Sequence, residues 1–118
     1  MLKFKNKSPL IEDTFLQDII KVCETPFYIY SQEMISQKVE SAKNALGKNI
    51  FFSVKSNSNQ AILKLMHSLN IGADVVSIGE LKRCLSAGFP PNKIIFEGVG
   101  KSKVDLIYAI QKNIRLIN

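Results

Sequence analysis

The first thirty residues carry two short apolar patterns. Over residues 11–23 apolar side chains recur at helical spacing, which predicts an amphipathic helix with Glu12 and Asp13 in its first turn. The run Phe-Tyr-Ile-Tyr at 27–30 is rich in residues that favour strands and predicts a short strand. We therefore expect an N-terminal segment, residues 1–31, that contains one helix and one strand.

The next pattern is a longer helical stripe. Ser31 is placed to cap a second helix, and Gly47 is placed to end it. The apolar stripe of this helix consists of Ile35, Val39, Ala42 and Leu46. A second domain is accordingly predicted to begin at residue 32 and to extend to residue 118.

From residue 50 onward a unit of strand, polar turn and helix repeats. The predicted strands cover 50–55, 72–77, 93–98 and 114–118, and the predicted helices cover 59–69, 79–87 and 102–112. Gly88 is placed to end the middle helix, and Ser102 with Asp105 forms a capping box for the last one. Strands joined by helical crossovers predict an α/β fold with a parallel sheet, either open or part of a (β/α)8 barrel.

Composition narrows the class of protein. The chain has 118 residues, 46% of them hydrophobic, which fits one small globular domain with a packed core. No apolar run approaches the roughly 20 residues of a membrane span, and no secretory signal is visible, so a cytoplasmic protein without a membrane partner is expected. The net charge of +6 is scattered, which gives little support to a nucleic-acid partner. Cys23 and Cys84 lie in apolar stripes and are predicted to be buried free thiols.

Lys55 is the first candidate for chemistry. It ends the first predicted strand of the repeat, and alternation places it on the same face as Ser53 and Phe51. Ligands of α/β folds bind beyond the carboxyl ends of the strands, where a desolvated lysine can form a Schiff base with an aldehyde. A surface lysine that extends its amine into water explains the same position, and spacing alone leaves both interpretations open.

Two other motifs are weaker. The run Gly-Val-Gly-Lys-Ser at 98–102 follows a strand and precedes a helix, as a nucleotide-binding loop does. The glycine that such a loop needs five residues before Gly100 is replaced by Ile95, so the motif is incomplete. His67 has no Cys, Asp or Glu at ligand spacing, and no metal site is predicted.

The stretches FFSVKSN and GADVVSIGELKRCLSAGFPPNKIIFEGVGKS resemble the diaminopimelate decarboxylases, which belong to the alanine-racemase-like enzymes that use pyridoxal 5'-phosphate (PLP). The similarity runs from about Thr25 to the last residue. It implies a partial (β/α)8 TIM barrel of the PLP-binding family, made of the first three to four βα units. It also implies PLP bound as a Schiff base to Lys55, with Asp74 beside the cofactor and Ser53 and Ser77 near it.

The resemblance further implies an amino-acid substrate, meso-diaminopimelate, which is converted to lysine and CO2 in lysine biosynthesis. Full-length relatives are homodimers, and the assembly of this chain is left open. The family places most of its site, including the phosphate-binding loop and the partner of the pyridine nitrogen, in later segments. We therefore expect an N-terminal fragment that is inactive alone. Because the inward-facing residues of a closed barrel pack against strands that this chain does not have, we also expect it to be unstable or to need a partner. Two alternatives stay open: a split enzyme completed by a second chain, and a non-enzymatic PLP-carrying or protein-binding module.

Overall fold

The computed structural model describes residues 3–5, 7–47 and 49–118. The chain divides into two compact units, Met1–Ser41 and Ala42–Asn118. In the described residues no helix is long and apolar enough to cross a membrane.

The first unit contains a small antiparallel sheet with the strand order β1-β2-β3. Its elements are β1 (Lys3–Lys5), β2 (Ser8–Ile11), β3 (Thr14–Phe15) and α1 (Leu16–Ile20), and α2 (Gln32–Leu46) begins in it. Each strand has two to four residues. None of the unit's described residues is fully buried, so it builds no apolar core of its own.

The predicted helix over residues 11–23 is wrong for its first half. Ile11 ends β2 and pairs with Thr14, while Leu10 pairs with Phe15. Glu12 lies in the turn between the two strands, with a positive φ of 52°. Apolar residues at helical spacing also fit a hairpin followed by one helical turn, and strand pairing with residues 3–11 decides between the two structures.

The predicted strand at 27–30 forms no ladder with any described residue. Its side chains still alternate, because Phe27 and Ile29 are half-buried whereas Tyr28 and Tyr30 are exposed. A run that favours strands stays outside a sheet when no neighbouring backbone pairs with it.

The second helix is confirmed. The hydroxyl of Ser31 accepts a hydrogen bond from the amide of Met34 at 3.0 Å. At the other end, the amide of Gly47 donates to the carbonyl of Lys43 at 2.8 Å, and Gly47 has a φ of 87° that favours glycine. Both ends of α2 therefore follow from residues that are visible in the sequence.

The second unit is an α/β structure with a parallel sheet in the order β4-β5-β6-β7. The strands are β4 (Phe51–Ser53), β5 (Gly72–Val75), β6 (Ile94–Phe96) and β7 (Leu116–Ile117); the helices are α3 (Gln60–Ser68), α4 (Ile78–Ser86) and α5 (Lys103–Gln111). Each predicted strand and helix of the repeat is present, although the strands are shorter than predicted. Consecutive parallel strands joined by right-handed crossovers place the helices on one face of the sheet.

The two faces of this sheet differ in burial. On one face Ala73 pairs with Ile94 and Val75 pairs with Phe96, and all four side chains are at most 1% exposed. This face packs with buried helix residues, which include Ile62, Leu63, Met66, Leu81, Cys84 and Ala109. The opposite face carries Ser53, Asp74, Ile95 and Leu116 in register, and none of these is fully buried.

Polar side chains cap the N-termini of the helices in the second unit. Ser102 and Asp105 form the predicted capping box of α5, in which the Ser102 hydroxyl accepts from the Asp105 amide at 3.2 Å. The Asp105 carboxylate accepts in return from the Ser102 amide at 2.9 Å. The hydrogen bonds that the Ser102 amide and hydroxyl donate to this carboxylate lower the pKa of Asp105.

The two cysteines have different environments. Cys84 is buried and Cys23 is exposed, so the prediction of two buried thiols is right for Cys84 and wrong for Cys23. Burial, and to a lesser extent the nearby Glu80 carboxylate, raises the pKa of the Cys84 thiol to about 12.

Candidate functional site

The candidate site lies at the carboxyl edge of the second unit's sheet. Ser53 is the last residue of β4, and parallel pairing puts it directly beside Asp74 in β5. Lys55 follows Ser53 by two positions, and Ser77 follows Asp74 by three. The sheet thus brings together two polar residues that are separated by 21 positions in the chain.

Among the described residues, a hydrogen-bond donor is found for one of the two carboxylate oxygens of Asp74. Its Oδ2 atom accepts a hydrogen bond from the Ser53 hydroxyl at 3.1 Å. Its Oδ1 atom is buried and has no hydrogen-bond partner in the described part of the chain. A buried carboxylate oxygen without a partner costs free energy, so this atom is a ready acceptor for a donor that the described residues do not supply.

Lys55 lies in a turn and not in the strand. Val54–Ser56 form one turn of 3-10 helix, in which Val54 is fully buried and Lys55 is exposed. The Ser56 hydroxyl donates to the carbonyl of Ser53 at 2.7 Å, and the Asn57 amide donates to the carbonyl of Val54 at 3.0 Å. The backbone of Lys55 is therefore fixed at the end of β4 while its amine stays accessible.

Of the two environments that spacing leaves open for Lys55, the structure shows the exposed one. The predicted strand over 50–55 is longer than the observed β4, because Val54 continues the apolar pattern of the strand in the sequence. In the structure the buried Val54 side chain starts the turn and anchors it. Lys55 remains at the carboxyl edge of the sheet, where ligands of parallel sheets bind.

Ser77 has a structural role at this edge. Its hydroxyl accepts a hydrogen bond from the Glu80 amide at 3.2 Å and so caps α4. The Glu80 carboxylate accepts from the Val76 amide at 2.8 Å. Helix capping accounts for the position of Ser77 without a ligand.

Sequence reasoning missed one long-range contact of the site. The Nε atom of Arg83 in α4 donates to the carbonyl of Ser58, three residues after Lys55, at 2.7 Å. A side chain that binds a backbone carbonyl 25 positions away leaves no signal in local periodicity. Among the described residues, no group of three or more His, Cys, Asp and Glu side chains could hold a metal ion.

Curated proteins with sequences similar to this chain are named diaminopimelate decarboxylases. The chain is 42% identical over 105 residues to the diaminopimelate decarboxylase of Helicobacter pylori strain J99, and 45% identical over 97 residues to that of Campylobacter jejuni. These matches cover 86% and 80% of this chain. The chain covers 26% and 24% of the relatives, which is about a quarter of their length.

Solved structures agree with the fold. A crystal structure of an Aquifex aeolicus protein matches 99% of this chain with a TM-score of 0.93 and 34% identity, and the match covers 30% of that protein. A Helicobacter pylori diaminopimelate decarboxylase complexed with L-lysine matches 86% of this chain with a TM-score of 0.81 and 40% identity, and the match covers 27% of that enzyme. The predicted resemblance and the partial-barrel fold are confirmed.

The model of one protein family, described as the pyridoxal binding domain of pyridoxal-dependent decarboxylases, matches residues 32–118. This range includes the whole parallel sheet with Lys55, Ser53 and Asp74. The chain therefore belongs to the pyridoxal-binding domain family of the pyridoxal-dependent decarboxylases.

Proposed function

We propose that this chain supplies the PLP-binding lysine of a diaminopimelate decarboxylase, and that this residue is Lys55. The observation that carries the proposal is the Oδ1 atom of Asp74, which is buried without a hydrogen-bond partner among the described residues, at the edge where the Lys55 turn begins. The site offers an accessible amine for the cofactor's aldehyde and a carboxylate oxygen that needs a donor. Both groups fit PLP, which has an electrophilic carbonyl and a ring hydroxyl that carries a proton.

The chain's residues have separate tasks in this proposal. The Lys55 amine would hold the cofactor through its aldehyde group, and its exposed position leaves room for the amino group of a substrate. The Asp74 carboxylate accepts a hydrogen bond through Oδ1 and stabilises positive charge beside it, while the Ser53 hydroxyl fixes its orientation through Oδ2. Once displaced, the Lys55 amine is free to carry a proton. Bound PLP supplies a conjugated ring that delocalises the electron pair left when a carboxylate departs as CO2.

The proposed substrate is meso-diaminopimelate, with lysine and CO2 as products. It rests on the relatives, which are named diaminopimelate decarboxylases, and on a relative solved as a complex with L-lysine. Because the chain spans about a quarter of those relatives, we propose that the 118 residues bind PLP but release no CO2 by themselves. A cytoplasmic location and a domain boundary at residues 31/32 remain proposals, as does the lack of nucleic-acid and membrane partners. A homodimer is expected of the full-length relatives, and the assembly of this chain stays open.

Covalent trapping tests the lysine. The purified chain is mixed with PLP, reduced with borohydride and mapped by peptide mass spectrometry. We expect the reduced cofactor on Lys55, and we expect Lys55→Ala to lose it. Lys64→Ala is the matched control, because Lys64 is an exposed lysine of α3 outside the site, and this variant should be labelled like the wild type.

Asp74→Asn tests the carboxylate in the same assay. This variant keeps the shape of the side chain and removes its charge, and we expect labelling of Lys55 to need roughly tenfold more PLP, as for the loss of a charge-assisted hydrogen bond. Random labelling of several exposed lysines, with Lys55→Ala and Asp74→Asn both like the wild type, would disprove the assignment.

A split enzyme is the second candidate, and one observation favours it. Helix α5 exposes Val104, Ile107 and Ile110, which are 74%, 45% and 65% exposed. Their spacing forms an apolar stripe that another helix could cover. If the chain works this way, adding a polypeptide that carries the remaining segments of a diaminopimelate decarboxylase should restore CO2 release from meso-diaminopimelate. A mixture in which the two polypeptides neither associate nor release CO2 argues for the PLP-carrying module instead.

A further inference from the structure

We propose that Arg83 is a positioning residue for Lys55, which it holds in place through the loop that joins the Lys55 turn to α3. The proposal rests on the proposed function of Lys55. Arg83 lies in α4, which follows the neighbouring strand β5, so the contact connects two successive βα units. Neither the family match nor the sequence patterns assign Arg83 a role.

Two hydrogen bonds of opposite direction join α4 to the segment from Ser58 to Gln60, which ends the loop and begins α3. The Nε atom of Arg83 donates to the carbonyl of Ser58 at 2.7 Å. The side-chain amide of Gln60, the first residue of α3, donates to the carbonyl of Arg83 at 3.2 Å. Arg83 thus accepts a hydrogen bond from Gln60 through its backbone carbonyl and donates one to Ser58 through its side chain. The two bonds fix the segment from Ser58 to Gln60 relative to α4.

The other hydrogen bonds of the loop are local. The Asn57 amide donates to Val54, and the Asn59 amide donates to the side-chain oxygen of Asn57, both at 3.0 Å. Such bonds shape the loop but do not locate it relative to the rest of the sheet. Among the described residues, the two bonds with Arg83 are the long-range hydrogen bonds of the stretch from Ser58 to Gln60.

Helix α4 is a firm support for these bonds. Leu81 and Cys84, on either side of Arg83, are fully buried in the core. The Ser77 and Glu80 caps fix the start of the helix. The Lys55 side chain is exposed, so the backbone is the part of this residue that the fold fixes, and it sets the point from which the amine reaches the site. Arg83 holds the far end of that backbone segment at Ser58.

The chain offers a matched control in the preceding residue. Lys82 is also exposed, long and cationic, but its amine lies 5.4 Å from the centre of the Tyr108 ring, away from the loop. Lys82→Ala therefore removes the same charge from the same helix without touching Ser58. Arg83→Lys keeps a cationic donor and tests for rescue.

Two measurements on the full chain test the proposal. Amide hydrogen exchange at Asn57 and Asn59 should be roughly two- to twelvefold faster in Arg83→Ala, the range that corresponds to one net hydrogen bond, with sheet amides such as that of Val75 unchanged. The PLP concentration that half-labels Lys55 should rise by a similar factor. Lys82→Ala should match the wild type in both measurements, and Arg83→Lys should recover most of the loss.

The outcomes separate this proposal from the one on which it rests. If Lys55 is labelled equally in the wild type and in Arg83→Ala, the proposed function stands and the positioning role is wrong. If the wild type is not labelled at Lys55, the proposed function fails and the positioning role fails with it, whatever the exchange data show about the loop. If sheet amides accelerate as much as loop amides and Arg83→Lys gives no rescue, Arg83 only stabilises the fold and the proposal is overturned.

Discussion

Gly72 provides a sharp test of how closely the strands of the candidate site pack. It is buried at the start of β5 and pairs with Phe51 of β4. A methyl group at this position would overlap the ring of Phe51 and lie 3.0 Å from the carbonyl oxygen of Lys93. The half-buried ring would have to shift, and the carbonyl belongs to the backbone. We expect Gly72→Ala to lower the free energy of unfolding by about 1–3 kcal/mol.

The same substitution at Gly79 should have the opposite sign. Gly79 lies in α4, and the nearest atom to an added methyl is the Ser77 hydroxyl oxygen at 3.8 Å. Alanine is the better helix former, so Gly79→Ala should raise the free energy of unfolding by up to about 1 kcal/mol. Comparing the two variants separates overlap at β5 from any general effect of replacing a glycine.

Chemical denaturation followed by circular dichroism measures both variants. The double variant Phe51→Ala with Gly72→Ala supplies the internal check, because without the ring the added methyl meets mainly the Lys93 carbonyl. The cost of Gly72→Ala should then fall by roughly 0.5 kcal/mol or more. If Gly72→Ala is as stable as the wild type, or costs the same with and without the Phe51 ring, the close approach of β4 and β5 is refuted.

Two further predictions concern titratable groups. In the native protein Cys23 should react quickly with a thiol reagent and Cys84 only on unfolding, because Cys84 is buried with its pKa raised to about 12; two fast thiols would contradict the packing. Hydrogen bonds from the Ser31 hydroxyl and the Glu33 amide lower the pKa of Glu12. The contribution of the Glu12 carboxylate to the free energy of unfolding is therefore present above its unfolded-state pKa, and it is lost as pH falls through the folded-state value. Glu12→Gln should therefore unfold more easily at neutral pH and lose stability less steeply in acid, and equal acid profiles from pH-dependent denaturation would exclude this role.

Local signals in the sequence determined α2 and most of the second unit. The strand and helix repeat, the Ser31 cap of α2 and the capping box of Ser102 and Asp105 depend on residues within a few positions of one another. The position of Lys55 just after β4 follows from the same repeat. Such features are readable because their free energy comes from contacts within one element and its ends.

Only the tertiary structure decided the contacts between distant segments. Pairing of Leu10 and Ile11 with Phe15 and Thr14 replaced the first half of a predicted helix with a hairpin, and Cys23, which lies beyond the helical turn that remains, is exposed. Strand register placed Ser53 beside Asp74 and left one oxygen of that carboxylate without a partner in the described parts of the chain, and α4 brought Arg83 to the loop after Lys55. Periodicity reports which face of an element is apolar, but which residues of two elements meet depends on the register and crossover geometry that the whole sheet imposes.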